Sequence, residues 1–190
     1  MINPVVASRV TFELVGQVNN EDLATCPHLP FFDMQIVFRF CVDPIDRKQD
    51  ITITNTCSQL WELSTEDLLK LAKENTPRLI PAKITSLADI LEDETAPIVY
   101  VLRSSRCSYG ATSLLDDGAV ASFADSLRSN LIIIPASVHE CFIFPSGGIA
   151  IDVLKRSIDE ANRSLLAPTE YLSDSVFLFS RSSNKLQLIP

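Results

Sequence analysis

Met34-Gln35-Ile36-Val37-Phe38-Arg39-Phe40-Cys41-Val42 is the stretch on which the fold class turns. Ile36, Phe38 and Phe40 share one parity, and Gln35, Val37, Arg39 and Cys41 share the other. Successive side chains of a strand point to opposite faces, so this period of two predicts a β-strand with an aromatic, core-facing side. Asp43-Pro44-Ile45-Asp46-Arg47-Lys48 follows with turn residues, and Gln49 to Thr54 alternates again with Ile51 and Ile53 in step. Two alternating runs around a turn predict a hairpin.

Upstream, Val10-Thr11-Phe12-Glu13-Leu14-Val15 predicts another strand, and Asn19-Asn20-Glu21-Asp22-Leu23 a short capped helix or turn. Cys26-Pro27-His28-Leu29-Pro30 predicts a break, because each proline restricts the residue before it. Downstream, Ser64 is placed to cap a helix whose first turn is acidic (Glu66, Asp67), as the helix dipole favours. Its apolar stripe is Leu68, Leu71 and Ala72; Asn75-Thr76-Pro77 is expected to end it, and Trp61 and Leu63 to pack on its first turn.

A shorter helix is expected over Ser86–Leu91 and a strand over Pro97–Leu102. Asp117 is expected to cap a helix with the stripe Val120, Phe123, Ala124 and Leu127. Leu131–Ile134 reads as a buried strand, Val138–Phe144 as another, and Ile149–Leu166 as a helix. Ser175–Phe179 and Lys185–Ile189 predict a closing hairpin around Arg181-Ser182-Ser183-Asn184. Strands in hairpin-like pairs with helices between them predict an α+β fold: a single globular domain over residues 1–190, with a mainly antiparallel sheet and helices packed on one side.

Composition narrows function by exclusion. The 190 residues are 46% hydrophobic and 21% charged, enough apolar material for a core. The balance of 16 Lys+Arg against 24 Asp+Glu gives a net charge of −8, which disfavours direct nucleic-acid binding and an anionic membrane surface. The N-terminal residues lack a signal-peptide pattern, and the longest pure apolar run, Leu131–Ile134, is far too short to span a bilayer. Cys26, Cys41, Cys57, Cys107 and Cys141 form no Cys-x-x-Cys pair, which predicts reduced thiols and a cytoplasmic setting. The five glycines stand in no phosphate-binding frame, so no nucleotide cofactor is expected. His139-Glu140 opens like a zinc-protease motif but has Ile143 where the second histidine belongs, and no metal is expected.

Two places hold chemically capable residues. Read as an extended segment, Pro135–Cys141 puts Ser137, His139 and Cys141 on one face and Glu140 on the other. His139 would then be a base for Ser137 or Cys141 as nucleophile. The loop Arg103 to Gly110 is the basic spot: Arg103, Arg106 and Tyr109 are candidates for an acidic ligand, and Cys107 beside Arg106 for a lowered thiol pKa.

Several segments together resemble a known family. They are Trp61 to Leu68 with Ala72 to Thr76, Tyr100-Val101-Leu102 with Gly110-Ala111, Ile134 to Glu140, Glu160-Ala161-Asn162, and Tyr171 to Phe177. Asn19 to Leu23, Pro27-His28 and Asp33 to Phe38 add to the likeness. The chain resembles the domain-of-unknown-function family numbered 5688, common in gut Firmicutes, from about Val10 to the end. The resemblance implies a shared fold and a bacterial source, with no activity, cofactor or partner attached. It implies that members are often longer at the N-terminus, so this chain can be the C-terminal part of a larger architecture. It singles out Ser137, His139 and Glu140, with Ala136 where the family pattern carries a second serine.

Three functions remain. The first is a non-enzymatic protein-interaction or regulatory domain whose partner is another protein. The second is a small hydrolase or transferase using Ser137 or Cys141 with His139. The third is an acidic inhibitor of a nucleic-acid enzyme, of mobile-element or phage origin.

Overall fold

The computed structural model describes residues 3–16, 21–43, 49–105, 109–147, 150–156, 160 and 166–189. The decisive stretch forms β3 (Met34–Phe40), paired antiparallel with β1 (Val10–Gly16) from Val10↔Phe40 to Gly16↔Met34. On its other side β3 meets β2 (His28–Phe31) and the short β4 (Ile51–Thr52). Phe12, Leu14, Ile36 and Phe38 face the core, as the period of two requires.

The opposite face of this sheet carries Glu13 and Arg39, with the guanidinium Nη2 2.8 Å from Glu13 Oε1 and the Glu13 side chain only 2% exposed. Arg39 also donates to the Thr52 hydroxyl. Burial works against the charge on Arg39, but Glu13 more than offsets it and the guanidinium pKa is raised.

A second sheet holds β5 (Ala82–Ser86), β6 (Tyr100–Ser104), β7 (Leu131–Ser137), β8 (Glu140–Pro145), β9 (Val176–Ser180) and β10 (Lys185–Ile189). Its spatial order is β10-β9-β7-β8-β6-β5, with every pair antiparallel. Leu131 and Ile133 face the main core, while Ile132 and Ile134 face Val176 and a helix over 151–156 through Ile151 and Leu154. Burial on both faces explains why this run is continuously apolar.

The helices are α1 (Pro4–Ala7), α2 (Asn55–Leu60), α3 (Thr65–Leu79), α4 (Leu87–Leu91) and α5 (Asp117–Leu127), with 3-10 turns at Glu21–Thr25 and Gly110–Leu115. Ser64 caps α3 with a reciprocal box: its hydroxyl accepts from the Asp67 amide, and Asp67 accepts from the Ser64 amide. The Ser64 hydroxyl also donates to Asp67 Oδ2 at 2.7 Å. That bond first, and the Ser64 amide second, hold the Asp67 carboxyl below its ordinary value, so the cap is complete near neutral pH and is lost as acid protonates Asp67.

The first sheet, α3, α5, the 110–115 turn and one face of the second sheet share a single buried cluster. A polar tie joins the sheets as well. Asp33, at the β2–β3 turn, accepts from the Ser173 hydroxyl at 2.7 Å and the Ser175 hydroxyl at 2.9 Å, both just ahead of β9.

The α+β class and the antiparallel pairing agree with the sequence reading, and several particulars differ. The strands divide between two sheets, and the 151–156 helix covers the far face of the second. Cys26–Pro30 was expected to break the chain, yet β2 begins at His28, because Pro30 lies on a strand at the end of its sheet where a missing donor is tolerated. Gln49–Thr54 shrinks to β4, and Thr54 instead caps α2 through the Cys57 amide. The strand expected over Pro97–Leu102 lies later, at Tyr100–Ser104. Asp116, not Asp117, caps α5. Asn19 and Asn20, the turn residues 44–48, and half of the helix expected over Ile149–Leu166 lie outside the described residues.

The helix α3 runs two residues beyond Pro77, although proline removes a backbone donor. The side chains next to it explain why. Asn75 Nδ2 donates to the carbonyls of Ala7 (2.8 Å) and Val10 (3.0 Å), and Thr76 Oγ1 accepts from the Phe12 amide (3.2 Å). Farther along the same strand, Thr112 Oγ1 accepts from the Leu14 amide at 3.1 Å. Val10, Phe12 and Leu14 thus turn backbone groups away from β3 into side chains of α3 and the 3-10 turn. Buried strand donors without a partner are strongly disfavoured, so these side chains take the place of a neighbouring strand.

Replacing Thr76 with Val, which keeps the shape and removes the acceptor, is expected to cost about 1–3 kcal/mol. At roughly 2–4 °C per kcal/mol for a chain of this size, thermal melting should detect it, and Thr76→Ser should recover most of the loss. An unchanged melting temperature in Thr76→Val would contradict this assignment.

Candidate functional site

The segment proposed for catalysis is not extended. The chain reverses at Val138-His139, between β7 and β8, and Ser137 pairs across the hairpin with Glu140. A register shift between Pro135 and Ser137 precedes the reversal. Ser137 and His139 therefore do not share a strand face, which corrects the premise of the catalytic reading.

The reversal is held by bonds both local and distant. Ser137 Oγ accepts from the His139 backbone amide at 3.0 Å. Val138 donates its amide to the Glu170 carbonyl (2.9 Å) and accepts at its own carbonyl from the Ala111 amide (3.2 Å). His139 Nδ1 accepts from the Tyr109 backbone amide at 3.2 Å, and the two rings lie 5.7 Å apart. With Nδ1 accepting, the neutral imidazole carries its proton on Nε2. Nε2 stands 3.7 Å from Glu170 Oε1, an ion pair whenever the imidazole is protonated.

Gly110 makes the approach of these segments feasible. A Cβ there would sit 2.3 Å from the His139 carbonyl oxygen, 2.6 Å from the Ser104 amide nitrogen and 3.0 Å from the Arg103 Cα. No side chain fits. The same geometry shows that two candidate sites are one neighbourhood: Arg103 on β6 and Tyr109 at the head of the 3-10 turn both border the His139 tip. Arg103 is half-buried opposite Lys83, while Arg106 and Cys107 lie outside the described residues.

Each proposed nucleophile has a structural occupation. Ser137 is buried, and its hydroxyl is engaged with the backbone. Cys141 is fully buried on β8, its Sγ 3.9 Å from the Ala111 carbonyl. Burial, and secondarily Glu140, push its thiol pKa far up, so the thiolate is withheld. Glu140 is half-buried at the start of β8. The lone pair a base would use, on Nδ1, is taken by Tyr109. This arrangement clasps segments from four parts of the chain and does not aim a base at a nucleophile.

Glu170 was not anticipated from the sequence. It sits in a plain turn, and only the fold brings it to His139. Among the described residues, no group of three or more His, Cys, Asp and Glu could hold a metal ion, and no helix is long and apolar enough to cross a membrane.

A different feature offers a binding surface. Over the core side of the first sheet, between β2, α3 and the start of α5, Phe12, Leu29, Phe31, Ile36, Leu69 and Leu115 line a depression of about 360 Å³. Lys73 and Asp117 add one charge of each sign to its lining. Beside it, Phe32 is 45% exposed and packs edge-on against Phe31, with ring centroids 5.0 Å apart.

The chain matches the model of a family of unknown function, DUF5688, over residues 4–181, and it belongs to that family. No curated protein and no solved structure matches it.

His139→Ala is expected to speed hydrogen exchange at the Tyr109 amide and to cost about 1 kcal/mol of stability. His139→Asn, whose Oδ1 can accept the same bond, should restore most of the protection. Unchanged exchange at Tyr109 in His139→Ala would refute the clasp. Separately, Cys141 should resist iodoacetamide in the folded chain and react once it is unfolded; labelling at native rates would contradict its burial.

Proposed function

We propose that this member of DUF5688 is a non-enzymatic binding domain that regulates another protein in the cytoplasm, taking an apolar segment of that partner into the depression beside α3. The observation that carries the reading is the cluster of Phe12, Leu29, Phe31, Ile36, Leu69 and Leu115 around an open concavity, extended by the exposed ring of Phe32. Exposed apolar surface with a polar rim is the usual mark of a protein-binding patch. Ser137, His139 and Cys141 add support, since the roles described for them are structural.

Docking here would be led by side chains. Pro30 lies on β2 at the end of its sheet and has no amide to give an added strand, so extending the sheet at that edge is disfavoured. The cytoplasmic setting rests on the cysteines: the five form no Cys-x-x-Cys pair in the sequence, and Cys57 and Cys141 are free thiols.

The test is quantitative capture of proteins from the source cell by the full chain and its Leu69→Glu and Lys73→Glu variants, with a parallel screen for ester and peptide hydrolysis. A stoichiometric partner lost at least roughly tenfold in Leu69→Glu and weakened in Lys73→Glu, with both variants folded by circular dichroism, is expected; tenfold corresponds to about 1.4 kcal/mol. Equal capture by the variants, or turnover abolished by His139→Ala, would overturn the reading.

A further inference from the structure

We propose a second binding site, for a small ligand bearing a phosphate group, where the C-terminal end of α5 meets the β9–β10 turn. A depression of about 680 Å³ lies there, lined by Asp125, Arg128, Ser129, Asn130, Arg181 and Ser182. All six are polar, so the place is suited to a charged group and not to an apolar tail. It is separate from the apolar depression and does not depend on the role proposed for that one.

Arg181 is held in position from two sides. Its Nε donates to Asp125 Oδ1 at 2.7 Å, and its backbone amide donates to Asn130 Oδ1 at 3.0 Å. A guanidinium has donors on three nitrogens, and the Asp125 bond uses only Nε. The Nη1 and Nη2 groups form a fork oriented by that bond, the geometry that grips two oxygens of an oxyanion. Arg128 supplies a second guanidinium, exposed and without a described hydrogen bond or ion pair. The Ser182 hydroxyl lies 3.2 Å from that of Ser180, and if Ser180 donates, the Ser182 proton is available to a ligand.

Charge decides the class of ligand. Two guanidiniums against the single Asp125 carboxylate leave a net positive lining on a chain whose formal net charge is −8. The α5 C-terminus opposes an anion, but its field is screened by salt and falls off within a turn, whereas the arginines would contact the ligand directly. Two cations suit the doubly charged, tetrahedral phosphate better than a carboxylate, which carries one charge.

The experiment is a titration of the full chain with sodium phosphate, against sodium chloride at equal ionic strength. The readouts are the amide resonances of residues 128–130 and 181–182 and the arginine Nε resonances. Saturating shifts confined to these positions are expected, with affinity falling roughly tenfold in Arg128→Gln, the loss of one charged hydrogen-bonding group. Arg128 is exposed, so that variant should fold; Arg181→Gln, checked by circular dichroism, should weaken binding at least as much. Glycerol phosphate should bind at least as tightly as the free ion, and acetate roughly tenfold more weakly. Shifts that follow ionic strength alone, equal affinity in Arg128→Gln, acetate matching phosphate, or exclusion of the ester would each overturn the proposal.

Discussion

The outer edge of β1 is the constraint on which the rest of the structure hangs. A strand buried on a side where no other strand pairs with it needs partners for its backbone groups. Here they come from side chains: Asn75 and Thr76 at the end of α3, and Thr112 in the 3-10 turn. This replaces a ladder by three polar contacts that fix rotation and register together. The helix α3 cannot slide along β1 without losing two of them, and the 110–115 turn cannot leave without losing the third.

That turn carries the consequence to the second sheet. Thr112 is anchored to β1, Ala111 binds the Val138 carbonyl, and Tyr109 binds His139. The β7–β8 tip is thus held from one side by the turn and from the other by the Glu170 segment. Gly110 lets the backbones approach closely enough for this to happen. Gly16 serves a similar purpose on β1, where a Cβ would stand 2.9 Å from the Tyr171 carbonyl oxygen. Asp33 with Ser173 and Ser175 forms a second tie between the sheets. Ser137 and His139, which look reactive in the sequence, take part in these polar ties.

The legible parts of the sequence were those governed by local physics. The alternation of β1 and β3, the Ser64 cap and stripe of α3, the density of β-branched residues in β7, and the closing hairpin all follow from period and capping. What was not legible depends on distant partners. No glycine or asparagine marks Val138-His139 as a turn; the reversal there rests on Ser137, Ala111 and Glu170. Pro77 looks like a helix end, but Asn75 and Thr76 pin the last turn to β1. The short strand Ala82–Ser86 alternates with only two apolar residues, Ala82 and Ile84, too brief a pattern to stand out in the sequence; it is held as a strand by pairing with β6. At the candidate site Ser137, His139 and Cys141 were found by residue type, while their structural roles, and Glu170, required the fold. The apolar depression was hidden for the same reason, since its lining comes from segments that each read as ordinary core.

The most direct measurement is native-state hydrogen exchange at the Phe12 and Leu14 amides. If side-chain acceptors close the β1 edge as described, both should exchange only through global opening, with free energies matching those of central β7 amides. Exchange at these two positions as fast as along β10, an edge strand of the other sheet, would mean that the edge is open and that the account built on it is wrong.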